Sequence, residues 1–94
     1  MHMNRVSSEN MEQEMDGLVG SLKYTWSYVE SNMATFRNRV LNDRQRSDYE
    51  TRFTSLNKEY ADLTNRPSIQ KMHRLLQDMQ ELLRDLQVIV RMLY

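Results

Sequence analysis

The chain has 94 residues, a formal net charge of zero from 13 basic and 13 acidic side chains, and a mean hydropathy of −0.78. So short a chain excludes a second sizeable domain and limits the surface buried on folding to about 60 to 65%, while the even charge balance argues against a strongly basic nucleic-acid module and an acidic solvating tail. There is no cysteine, which excludes disulfides and thiolate metal sites as sources of stability and fits a reducing compartment.

At the start of the chain, Met1-His2-Met3 reads as an expression-derived remnant, and residues 1–7 are expected to be such a remnant or disordered. Residues 8–94 are then one helical domain. The first residues lack the charged, apolar and small-residue regions of a signal peptide, and no apolar run approaches the ~20 residues that span a bilayer. The expectation is an intracellular, cytoplasmic protein without a transmembrane segment.

The first predicted helix covers residues 8–41. Met11, Met15, Leu18, Leu22, Trp26, Val29, Met33, Phe36 and Val40 recur at steps of four or three, close to the helical repeat. Glu9, Glu12, Glu14 and Asp16 gather at its start and Arg37 and Arg39 at its end, as the helix dipole favours. The second helix is predicted over residues 47–64. Ser47-Asp48-Tyr49-Glu50 has the form of a capping box, and Tyr49, Phe53, Leu56, Tyr60 and Leu63 follow at strict four-three spacing. It must stop before Arg66-Pro67, because proline disfavours helical geometry in the preceding residue. Pro67 suits a first helical turn, so the third helix is predicted over residues 67–94. Two overlapping seams run along it, one through Ile69, Met72, Leu76, Met79, Leu83, Leu86, Val90 and Leu93, the other adding Leu75, Leu82 and Ile89.

An apolar face that broad suits a helix with two neighbours. The predicted fold class is all-α: an antiparallel three-helix bundle or coiled-coil-like arrangement, with long first and third helices and a short second helix. The short middle helix is expected to leave the start of the first helix and residues 88–94 of the third overhanging at opposite ends. At the level of fold this pattern resembles the N-terminal regulatory domains of SNARE proteins, spectrin-type repeats and small helical secretion chaperones. Trp26 carries the likeness to a spectrin-type repeat, from which the short middle segment departs.

No pattern for chemistry emerges. The histidines are His2 and His73 alone, with no ligand set at metal-binding spacing. No serine or threonine stands in a nucleophile motif, and Gly17 and Gly20 precede no phosphate-loop lysine. The expectation is no enzyme activity, no catalytic residue, no cofactor and no metal.

Two surfaces point instead to a protein partner. On the back of the first helix, Gly17, Gly20, Ser21, Tyr24, Ser27, Tyr28, Ser31 and Thr35 fall together without one charge among them. Two mid-helix glycines cost about 1 kcal/mol each relative to alanine, and here they would let another backbone approach. At the other end, Val88, Ile89, Met92, Leu93 and Tyr94 make the last turns apolar nearly all round. The candidate partner-binding residues are therefore Gly17, Gly20, Tyr24, Tyr28, Ser31, Val88, Ile89, Met92, Leu93 and Tyr94. The expected partner is protein, as a homodimer or hetero-oligomer through the first and third helices. Arg37, Arg39, Arg44, Arg46 and Arg52 around the first loop are the basis of a rival, disfavoured reading as a nucleic-acid contact, diluted by Asp43, Asp48 and Glu50.

Overall fold

The computed structural model describes residues 2–39 and 42–92, with side chains from residue 10 onward. The described residues form three helices and no strand: α1 (His2–Arg39), α2 (Asp43–Asn65) and α3 (Ile69–Met92). α1 begins six residues before the expected position. It passes through Gly17 and Gly20 without a break because Leu18, Leu22 and Trp26, on its opposite side, are buried. Each such burial stabilises by about 1.5–3 kcal/mol, more than the ~1 kcal/mol that a helical glycine costs.

The start of α2 corrects the expectation of a cap at Ser47. Asn42 has extended backbone angles (φ −79°, ψ 114°), and its side-chain oxygen accepts from the Gln45 N–H at 3.0 Å. Its carbonyl takes the N–H of Arg46 at 3.0 Å, so helix geometry is under way a full turn before Ser47. Ser47 lies inside α2, where its carbonyl receives the Thr51 hydroxyl at 2.8 Å. Asparagine and serine cap about equally well, so the motif alone does not decide between them. The other end follows the proline rule: α2 stops at Asn65, and Arg66 leaves helical geometry ahead of Pro67 (φ −134°, ψ 77°). Pro67 itself stays outside α3, whose first bond runs from the Met72 N–H to the Ser68 carbonyl at 2.8 Å.

With that added turn α2 has 23 residues against 24 in α3, so the two are nearly equal and α1, at 38 residues, alone is long. At about 1.5 Å per residue α1 spans about 57 Å, which accounts for the 60 Å long dimension of the molecule; the other two are 22 and 14 Å. The radius of gyration is 16.4 Å, against about 12 Å for a compact domain of this length.

One core joins all three helices: Leu18, Leu22, Trp26, Val29, Met33 and Phe36 from α1, Leu56 and Leu63 from α2, and Met72, Leu75, Met79, Leu82 and Leu86 from α3. The close backbone pairing is α1 with α3. α2 stands off from α1 and reaches it through rings: Phe53 stacks on Trp26 at 4.9 Å between centroids, Tyr60 meets Trp26 edge-on at 5.9 Å, and Tyr49 packs on Phe36 at 4.9 Å. Large side chains thus span a gap that aliphatic residues would leave open.

These contacts set the ends of the helices. Arg52 of α2 pairs with Asp85 of α3 at 2.9 Å. From that level Met92 lies about 10 Å further along α3 and Asp43 about 13 Å further along α2, so α3 does not overhang. Ile89 and Val90 pack against the core. The overhang expected of residues 88–94 is corrected accordingly for the described ones; Leu93 and Tyr94, like Val40 and Leu41, lie outside the described residues. At the opposite end Glu14 of α1 meets His73 of α3 at 2.9 Å. Counting back from this level, α1 extends about 12 Å beyond the start of α3.

Candidate functional site

The internal packing leaves the outward face of α1 uncovered. Gly17, Gly20, Ser21, Tyr24, Ser27, Tyr28 and Ser31 are all exposed, and Thr35 is half-exposed. A methyl group placed on Gly17 or Gly20 would meet nothing within 4 Å, so neither glycine is needed for this chain's own packing. Tyr24, 66% exposed, and Tyr28 stand one turn apart, their rings edge-to-face at 5.0 Å and their hydroxyls 3.3 Å apart. That hydroxyl contact, with the nearby Tyr28 charge and slight burial adding to it, raises the Tyr24 phenol above its usual range. The Tyr24 ring therefore stays neutral through physiological pH.

Two hydroxyls on this face and one amide at its edge are turned back into the helix. Ser27 donates to the Tyr24 carbonyl at 2.8 Å, Thr35 to the Ser31 carbonyl at 3.3 Å, and Asn32 at its edge to the Tyr28 carbonyl at 2.8 Å. Hydroxyls engaged in this way present mainly carbon outward. The result is a strip with rings at its centre, gaps toward its N-terminal end, and no charge along it. Such a strip gives up little hydration on being covered.

The end of α3 is smaller. Val88 is half-exposed and Met92 is 77% exposed, whereas Ile89 turns inward. Val88 and Met92 lie one turn apart on the side of α3 away from the core. The structure does not bring them together with the α1 face.

The arginines near the first loop hold the corner together. Arg37 makes a two-pronged pair with Glu50, in which Nε donates to Oε1 and Nη2 to Oε2, the latter at 3.0 Å. That pairing lowers the Glu50 carboxyl below its ordinary value and raises the Arg37 guanidinium. Arg46 donates to the Arg37 carbonyl at 3.0 Å, satisfying one of the last acceptors of α1. Arg37 also lies over the Phe53 ring at 5.1 Å, and Arg52 over Tyr49 at 5.4 Å. Burial, followed by the nearby Asp85 charge, raises the Tyr49 phenol; burial also raises that of Tyr60.

The sequence pattern gives no sign of the Glu14–His73 pair, whose members are 59 positions apart. Only the start of α3 folding back against α1 brings them together. Among the described residues no three of His, Cys, Asp and Glu converge on one point, and no helix is long and apolar enough to cross a membrane. Compared with protein-family models, with characterised proteins and with solved structures, the chain matches none.

Proposed function

We propose that this chain is a non-enzymatic assembly module, an antiparallel three-helix bundle of the cytoplasm that associates by helix-on-helix packing, with a second copy of itself as its first partner. One observation carries the reading: the outward face of α1 is exposed, uncharged and ring-bearing, and its two glycines do nothing for the internal packing. A helix face that serves only as a solvated exterior gains nothing from two destabilising glycines or from adjacent exposed tyrosines. Glycines beside rigid aromatic rings are what close helix contact uses. Arg37, Arg46 and Arg52 have internal partners at the corner, which weakens the rival reading as a nucleic-acid contact.

The test is the mass of the chain by light scattering at micromolar concentrations and two salt levels, alone and with Gly20→Leu plus Tyr28→Glu. A salt-insensitive dimer is expected, with association weakened at least about tenfold in the double variant, the effect of losing roughly 1.4 kcal/mol at an interface. Helicity by circular dichroism should remain. Unchanged association at native helicity would remove the α1 face from the reading. A second reading, as a subunit of a hetero-oligomeric complex, draws on Val88 and Met92, which an α1–α1 contact leaves uncovered. A monomer at every concentration would favour it.

A further inference from the structure

Building on the self-association reading above, we infer that two copies pair in antiparallel fashion through the outward faces of α1, about a two-fold axis near residue 25 of each chain. Three features of the face point to this occupant and this direction.

The first is fit. The face is uneven along its length, with Gly17 and Gly20 at one end and Tyr24 and Tyr28 following. In a parallel pair, ring would meet ring and gap would meet gap. Reversing one helix places Tyr28 of each copy opposite Gly20 of the other and Ser31 opposite Gly17, with the two Tyr24 rings meeting near the axis, so that the outer rings fill the gaps and both backbones approach.

The second is charge. At 100° per residue, Asp16, Lys23, Glu12 and Glu30 flank one side of the face, with Arg37 beyond them toward α2, and Glu14 and Arg39 share the other. A two-fold axis of this kind sets like edges side by side. In the register that sets Tyr28 opposite Gly20, Glu12 then lies level with Arg37 of the second copy and Glu14 about 8 Å along the helix from its Arg39. Lys23, beside the axis, comes level with its own counterpart, and Asp16 lies near Glu30 of the second copy. Arg37 and Glu14 keep their internal partners, Glu50 and His73, and Glu12 of the second copy joins the first pair in a wider array. A parallel pair would instead set Glu12 against Glu14 and Arg37 against Arg39, like against like. Antiparallel α1 helices also oppose their dipoles favourably.

The third is area. The chain exposes 7200 Å² at a mass of 11.4 kDa, whereas a compact monomer of that mass exposes about 5,800 Å². A standard dimer interface covers about 800 Å² on each partner, more than half of the excess.

Orientation is directly testable because the chain has no cysteine of its own. Gln13 and Asn38 are both exposed, lie on the face, and are nearly equidistant from the axis. Chains carrying Gln13→Cys and chains carrying Asn38→Cys are oxidised separately and as a mixture, at a concentration where light scattering reports dimers and circular dichroism reports native helicity. The antiparallel pair gives a disulfide-linked dimer in the mixture and none in either variant alone, since like cysteines would be nearly 40 Å apart. A disulfide within each variant alone means a parallel pair and overturns the inference. Dimers that give no disulfide in any sample overturn it too, by locating the association elsewhere while leaving the self-association reading in place. Monomers throughout would overturn both.

Discussion

The two faces of α1 are built from similar residue types and have opposite fates. Trp26 is buried and stacks on Phe53, whereas Tyr24 and Tyr28, two positions to either side, stand in solvent and touch each other. The inner face carries an apolar stripe at four-three spacing, of which Leu18, Leu22, Trp26, Val29, Met33 and Phe36 enter the core shared with the other helices. On the outer face rings alternate with glycine and serine, and they stand exposed among the described residues. An exposed aromatic on a helix is ordinary when it stands singly. It calls for a physical reason when it is paired, flanked by glycines and free of charge over several turns.

The largest expected effect breaks the inner face. Phe36 is fully buried and packs on Tyr49, so Phe36→Ala should cost about 3–5 kcal/mol in urea denaturation, much of the total stability of a chain this size. Association should fall with it, because both faces depend on one helix. A denaturation midpoint left unchanged would mean that the core is arranged differently.

Gly17→Ala with Gly20→Ala should separate the two faces most cleanly. The added methyl groups meet nothing in the chain, and alanine is favoured in a helix by about 1 kcal/mol at each position. Stability of the isolated protomer should therefore rise by roughly 2 kcal/mol while association weakens. A rise in both would show that the glycines serve no contact.

A smaller effect tests the corner where α1 hands over to α2. Asn42→Ala should cost about 1 kcal/mol through loss of the cap, whereas Ser47→Ala should change little. The reverse ranking would restore the capping box as the start of α2.

The smallest effect lies at the edge between the faces. Glu50 has its pKa lowered, first by the hydrogen bond from Arg37, so its contribution to stability is full above its ordinary value of 4.5 and is lost as pH falls through its lower folded value. Both partners are more than a third exposed, so screening holds the contribution below about 1 kcal/mol. Glu50→Gln should remove it at neutral pH and flatten the acid limb of the stability curve. An unaltered acid limb would show that the pair contributes nothing.

Much of this organisation is legible in the residues. The core members of α1 and α3 are those of the predicted stripes, because apolar side chains at helical spacing have no other way to leave water together. The broad apolar face of α3 correctly implies two neighbours. The outer face of α1 is legible for a complementary reason: an uncharged strip is visible as soon as the chain is wound at 3.6 residues per turn. Asn42, by contrast, is overlooked because it competes with an equally good cap at Ser47, and the choice rests on where the backbone turns.

What the sequence by itself determined is therefore periodic: three helices, the stripe that each buries, and the neutral back of the first. The tertiary structure alone decided relations between distant positions. It set α3 level with the corner, so that Ile89 and Val90 pack inward while Val88 and Met92 remain outside. It brought Glu14 to His73 and Arg52 to Asp85. The reason is physical: helical periodicity is written in neighbours three and four apart, whereas the level at which one helix meets another is settled by the summed packing of many side chains, such as the rings of Tyr49, Phe53 and Tyr60 that hold α2 away from α1.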